Sequence, residues 1–389
     1  MTLSANLPFG SASFEKEWEF LRLCVAPGAS SAEIAKTPFS DLNWDVLLEL
    51  GEEHGVLGVV AMRLQALGFA GVPAGSREKL QVRMRAQLLF TLSMTAELFR
   101  ILEEFSKNGI ECALVKGPLV SLLAYGDPAV RSYVDLDLVV RHKDILAAAQ
   151  RMIEIGFEPD FPLTVIEAGK VPGEYLFKRP GTSRIIELHT ERTFRYYPRP
   201  MRVEDLFARQ RRMDIDGREV PALSLEDEFV LNAIHGAKHF WERLMWVADV
   251  AAIVGRHPEI DWSAVRQAAK DVGAERMIYL ALQLAETLLN VPVPAVIAEQ
   301  VRCDVSALQL CQQVNRWLPS AGYDSPGLKE RALFRVRMRG GLAGAAYLLR
   351  LSFSPTEEDW VQGAEERRSG FWDAIERPLR LIRKYRSRS

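Results

Sequence analysis

Cysteine is scarce in this chain of 389 residues, and the four that occur (Cys24, Cys112, Cys303 and Cys311) are scattered. No two stand at the C-x-x-C spacing of a zinc site, and no framework of paired cysteines suggests an oxidised, disulfide-stapled scaffold. A reduced protein in the cytoplasm is the expectation. Long hydrophobic runs are also missing. The most apolar late stretch, 340–353, is short and interrupted by Arg350, whereas a membrane-spanning helix needs about 20 apolar residues. The opening Met-Thr-Leu-Ser-Ala-Asn has no basic region followed by an apolar run, so no secretory leader is expected. A net charge of −2 supplies no global attraction to nucleic acid or anionic membrane. Internal repeats and long low-complexity segments are absent.

What is present is a globular composition, 48% hydrophobic, in a chain long enough for two or three domains. Apolar residues at spacings of three and four predict helices over 15–24, through 44–67, and from Ser76 to Asn108-Gly109. At Ile110 the pattern changes. Strands are predicted over 110–115, 131–140, 174–178 and 184–190, with short helices over 119–125 and 143–155 between them. Asp214-Ile-Asp-Gly217 reads as a turn between two short extended pieces. Ser224-Leu-Glu-Asp-Glu then opens a return to helices. The irregular mixing predicts an α+β fold, with a small mixed-sheet domain embedded between helical N- and C-terminal regions. The expected boundaries are 1–109, 110–204 and 205–389.

The stretch that carries chemistry is Arg131-Ser-Tyr-Val-Asp-Leu-Asp-Leu-Val-Val140. In an extended strand alternate side chains share a face, so Asp135 and Asp137 project together while Val134, Leu136, Leu138 and Val140 face a core. Two carboxylates held side by side repel, and a divalent cation between them relieves the repulsion. Glu187 and His189 share one face of Ile185-Ile-Glu-Leu-His-Thr190; if that strand lies beside the first, Glu187 completes a trio of metal-binding carboxylates. Hard oxygen ligands of this kind suit magnesium, and three carboxylates can hold two such ions. Lys116-Gly117 stands where a strand gives way to a helix, so its backbone N–H groups, a glycine permitting close approach, and the lysine charge favour phosphate. Arg131, with Ser132 beside it, is placed to reach the same phosphates.

The runs Leu-Val-Lys-Gly, Tyr-Gly-Asp-Pro and Arg-Ser-Tyr-Val-Asp-Leu-Asp-Leu-Val-Val, with Glu-Leu-His-Thr and His-Gly-Ala-Lys-His later, resemble the uncharacterised bacterial nucleotidyltransferase family of the polymerase-beta-like superfamily. The resemblance covers roughly residues 40 to 386. It implies a minimal nucleotidyltransferase sheet and transfer of a nucleoside monophosphate from an NTP, with ATP the expected nucleotide and the acceptor unidentified. That acceptor is a hydroxyl-bearing small molecule, peptide or protein. The superfamily usually carries Gly-Ser or Gly-Gly after its first strand, where this chain has Gly117-Pro118. Losing the serine removes one hydroxyl contact to phosphate and supports an alternative, a catalytically inactive nucleotide-binding regulatory module.

His235 and His239 lie one helical turn apart, with Trp246 and Asp249 following. No glutamate completes an H-E-x-x-H motif and no cysteine is near, so a polar wall on the acceptor side is expected rather than a zinc site, with Asp249 either anchoring His239 or merely capping its surroundings. His189 is assigned to the same acceptor side. The basic run Arg377, Arg380, Arg383, Lys384, Arg386, Arg388 alternates with apolar residues and reads as a docked amphipathic helix. Weak contact with an anionic surface is its functional reading. A nucleic-acid partner is disfavoured by the near-neutral chain.

Overall fold

The structure, a computed structural model, describes residues 14–160, 162–167, 173–190, 202–320, 326–340, 344 and 346. It is a mixed α/β molecule in which, among the described residues, sixteen α-helices surround one seven-stranded sheet. Five helices precede the first strand: α1 (Glu15–Val25), α2 (Ser31–Ala35), α3 (Trp44–Glu53), α4 (Leu57–Ala66) and the long α5 (Ala74–Lys107). The helical run expected over 44–67 divides in two at Gly55, whose φ of +68° no continuing helix tolerates. Helix α5 begins at Ala74 behind Pro73 rather than at Ser76, which lies buried within its first turn. Proline presets the backbone for helix entry without a side-chain cap.

The strands are β1 (Cys112–Val115), β2 (Asp135–Val140), β3 (Glu158–Pro159), β4 (Glu174–Lys178), β5 (Ile185–His189), β6 (Arg211–Ile215) and β7 (Arg218–Ala222). Their order is β3-β4-β5-β2-β1-β7-β6, with β2 at the centre. Strand β2 runs antiparallel to β1 and parallel to β5, and β1 runs parallel to β7. The two extended pieces around Asp214–Gly217 therefore close the sheet's edge, beyond the expected boundary at residue 204. Val134 departs from its expected place facing a core. It precedes the strand and is 69% exposed, because pairing starts only at Asp135.

Between the strands lie α6 (Gly117–Tyr125), α7 (Ile145–Glu154), α8 (Leu163–Glu167) and α9 (Val203–Ala208). After the sheet come α10 (Leu225–Lys238), α11 (Leu244–Arg256), α12 (Trp262–Val272), α13 (Glu275–Leu289), α14 (Ala298–Cys303), α15 (Val305–Trp317) and α16 (Leu328–Arg339). Ser224 caps α10, accepting from the Asp227 N–H as the sequence suggests. Helix α11 packs on α6, and buried residues from Phe14 to Met338 form one contiguous core. Gly58 of α4 lies so close to the Val130 carbonyl that a Cβ would stand 1.9 Å from its oxygen. The N-terminal helices thereby press on the loop that leads into β2. No helix among the described residues is long and apolar enough to cross a membrane. The basic run at 377–388 lies outside the described residues.

Candidate active site

Register assembles the site. Asp137 on the central strand pairs with Val115 of β1 on one side and with Glu187 of β5 on the other. Lys116, the residue after Val115, and His189, two residues beyond Glu187 on the same face, both reach back to it. Lys116 Nζ donates to Asp137 Oδ1 at 2.8 Å, and His189 Nε2 lies 2.6 Å from the same oxygen. His189 Nε2 is also 3.4 Å from Glu187 Oε2. Asp137 is only 4% exposed, so the face expected to be wet is largely covered.

Electrostatics separate the two aspartates. Burial alone would raise the Asp137 carboxyl, but the Lys116 ammonium and the hydrogen bond and charge of His189 hold it well below the usual range. Asp135 feels the same two positive charges without a hydrogen bond to either; burial first, then the charges of Asp137 and Glu187, outweigh them and push it up to about 7. Burial and Lys116 act to lower His189, yet its hydrogen bonds to Asp137 and Glu187 prevail and raise it to about 9. Glu174 of β4 pairs with His189 across the sheet. Burial works against its charge, but His189, Lys238 and Lys116 keep it below its ordinary value.

The turn at Lys116-Gly117 has an unusual backbone. Lys116 takes φ +51° and ψ −146°, and Gly117 takes φ +38°. A Cβ on Gly117 would make only ordinary contacts, 3.5 Å from the Asp135 carbonyl oxygen and 3.8 Å from the Tyr133 ring, so it is the positive φ that favours glycine here. Pro118 sits in the first turn of α6, where a missing N–H costs nothing. The Lys116 N–H donates to Glu228 Oε1 at 3.0 Å.

Arg131 is paired with a carboxylate outside this cluster. Its Nε donates to Asp249 Oδ2 at 2.7 Å, with the pair 7% and 0% exposed. Tyr125 OH donates to Asp249 Oδ1 at 2.9 Å, so Asp249 binds the loop before β2 rather than anchoring His239. The Arg131 N–H donates to Ser121 Oγ at 3.0 Å, and that hydroxyl donates to the Asp127 carbonyl at 2.6 Å. Ser132 is half-buried in the same loop. These hydrogen bonds tie Arg131 to the loop that delivers Asp135.

His235 and His239 stand at the C-terminal end of α10 with ring centroids 4.6 Å apart. Trp246 of α11 stacks on His239 at 5.3 Å and meets His235 edge-on at 5.6 Å. Burial keeps His235 neutral, helped by the nearby charge of Lys116. Burial likewise lowers His239 to about 3, with Lys238 and Lys116 acting in the same sense. Lys116 thus lies within the electrostatic reach of both rings of this neutral aromatic wall.

Asp137, Glu187 and His189 each offer a ligand atom within 4.8 Å of the others, the one such group found among the described residues. A divalent ion with ligands about 2.1 Å away spans donors up to roughly 4 Å apart, so this set fits a small cation after slight closure. Asp135, on the same strand face and raised by burial and by the neighbouring carboxylates, fits the same purpose. Glu174 and Glu228 were not legible as site residues. Glu174 is an ordinary strand acid until β4 pairs with β5, and Glu228 is separated from Lys116 by 112 positions.

A solved structure described as an antigenic nucleotidyltransferase-like protein from Paracoccidioides brasiliensis is similar at 16% identity, with a TM-score of 0.31. The likeness covers 52% of this chain and 94% of that one. No curated protein is significantly similar to the chain. A family model described as uncharacterised nucleotidyltransferase matches residues 40–290, a span that contains every strand of the sheet together with Lys116, Asp135, Asp137, Glu187, His189 and the α10 histidines. The chain belongs to this nucleotidyltransferase family.

Proposed function

We propose that the protein transfers a nucleoside monophosphate from an NTP, ATP being the first candidate, to a hydroxyl-bearing acceptor in a divalent-cation-dependent reaction. The observation that carries this reading is the convergence of Asp137, Glu187 and His189 beside the Lys116-Gly117 turn, at the centre of the sheet. Magnesium, as one or two ions held by Asp135, Asp137 and Glu187 with His189 adjoining, would neutralise the polyphosphate and polarise the α-phosphorus. Lys116 moves between its Asp137 partner and the phosphates, and Gly117 lets the chain approach them closely. The acceptor oxygen forms a bond to the α-phosphorus as the bond to the bridging oxygen breaks, and pyrophosphate leaves. Without an ion, burial and the charges of Asp137 and Glu187 push Asp135 up to about 7, a repulsion that a bound cation would relieve, and the acceptor's proton leaves to solvent. The His235–His239–Trp246 wall contacts the acceptor.

A second reading has its own observation. Asp137 Oδ1 already receives both Lys116 Nζ and His189 Nε2, an internally neutralised arrangement that suits a nucleotide-binding module without turnover. Labelled ATP, GTP, CTP and UTP, incubated with magnesium, the protein and an unbiased acceptor pool, separate the two. Transfer of label with release of pyrophosphate supports the enzyme. Magnesium-dependent NTP binding without any transfer favours the module, and no binding of any NTP sinks both.

A further inference from the structure

Lys116 occupies a backbone conformation that residues with a Cβ avoid, at φ +51° and ψ −146°. Glycine is the residue that takes such a conformation without steric cost, yet a lysine stands here and its Nζ reaches Asp137 at 2.8 Å. Something must hold the strained peptide in place. The Lys116 carbonyl accepts from the Val120 N–H at 3.1 Å, which begins α6. The Lys116 N–H donates to Glu228 Oε1 at 3.0 Å.

Glu228 is an unusual choice for that duty. It is 0% exposed, in the first turn of α10, and its second carboxyl oxygen has no protein partner among the described residues. Burial pushes its carboxyl up to about 7, against the pull of the Lys116 N–H and charge. A buried carboxyl with one oxygen unpaired is unfavourable for folding. An apolar residue there would pack α10 without that cost but would leave the Lys116 N–H unbound.

We propose that Glu228 is a positioning residue: from α10 it clamps the Lys116 peptide in its strained conformation and so aims the Lys116 ammonium at Asp137 and at the phosphates. The phosphate half rests on the function proposed above; the clamp itself rests on geometry alone. The clamp makes the aim of the lysine depend on how α10 is seated against the end of β1, on the helix that also carries His235 and His239.

The test reads the Lys116 amide directly. Hydrogen exchange at that amide is measured in the parent, Glu228→Gln, Glu228→Leu and Glu228→Asp. Glutamine keeps an acceptor oxygen at the same reach and preserves protection. Leucine removes the acceptor and aspartate falls one methylene short, so each speeds exchange by about tenfold or more. If Glu228→Leu fails to fold, Glu228→Asp decides. Lys116→Gly, which removes the strain, should melt at a higher temperature than Lys116→Ala, which keeps it. Affinity for ATP with magnesium is then compared in Glu228→Leu (or Glu228→Asp), Lys116→Ala and the double variant. A clamp acting through Lys116 makes the double variant no weaker than Lys116→Ala. Unchanged exchange in both Glu228→Leu and Glu228→Asp overturns the clamp, and full additivity in ATP affinity overturns its action through the lysine. A parent that binds no ATP removes the proposed nucleotide function and leaves the exchange result to judge the clamp.

Discussion

Replacing Asp249 by asparagine tests how the loop before β2 is held. Asp249 is 0% exposed and binds Arg131 Nε at 2.7 Å and Tyr125 OH at 2.9 Å. The substitution leaves the Arg131 guanidinium, itself 7% exposed, without a counter-charge. Removing one partner of such a buried pair costs about 3–5 kcal/mol, far above the 0–1 kcal/mol of a surface pair. A chain of this size unfolds with an entropy on the order of 0.8 kcal/mol per kelvin, so the melting temperature should fall by about 5 °C. Urea denaturation of the parent, Asp249→Asn, Arg131→Met and the double variant supplies the energies. The two single losses should fail to add, because removing both charges leaves neither stranded. The double variant also asks whether Arg131 contacts phosphate: nucleotide affinity near the parent's identifies a strut, and lost affinity in a well-folded double variant identifies a ligand. An Asp249→Asn protein within 1 kcal/mol of the parent, or a fully additive cycle, would refute the buried-pair argument.

Asp137→Asn and Glu187→Gln should each lower any nucleotidyl transfer by about two orders of magnitude or more while the fold persists. Steady-state turnover with circular dichroism checks this, and parental rates in either variant would remove the acidic cluster from the chemistry. His239→Ala should impair transfer to the acceptor and leave magnesium-dependent NTP binding unchanged; titration calorimetry showing lost NTP affinity would move that wall to the nucleotide side. His54 is 0% exposed and burial lowers it to about 4 from an ordinary 6.5. Because the unfolded chain then binds more protons, the stability that neutral His54 supplies is complete above pH 6.5 and is lost as pH falls toward 4, by about 3 kcal/mol. Denaturant midpoints between pH 4 and 7.5 should therefore fall less steeply in His54→Asn than in the parent; parallel curves would refute the assignment.

Local sequence was enough to determine the strand–turn–helix at Lys116-Gly117-Pro118, the acidic strand, and the placement of Glu187 and His189 on one face. Each follows from periodicity or from what glycine and proline permit within a few residues. Family motifs led from these residues to the nucleotidyltransferase reading that the match over 40–290 supports. Tertiary structure decided the rest. Asp135 and Asp137 are two residues apart on one strand, yet only the pairing of β2 with β1 and β5 gives the hydrogen bonds of Lys116 and His189 to Asp137 and not to Asp135. The buried partner of Arg131, Asp249, comes from α11 across 118 positions, and Glu228 gains meaning only when α10 docks against the end of β1. Alternation and turn chemistry reach a few residues along the chain, whereas a charge responds to whichever groups the packed helices and paired strands place within a few ångströms of it.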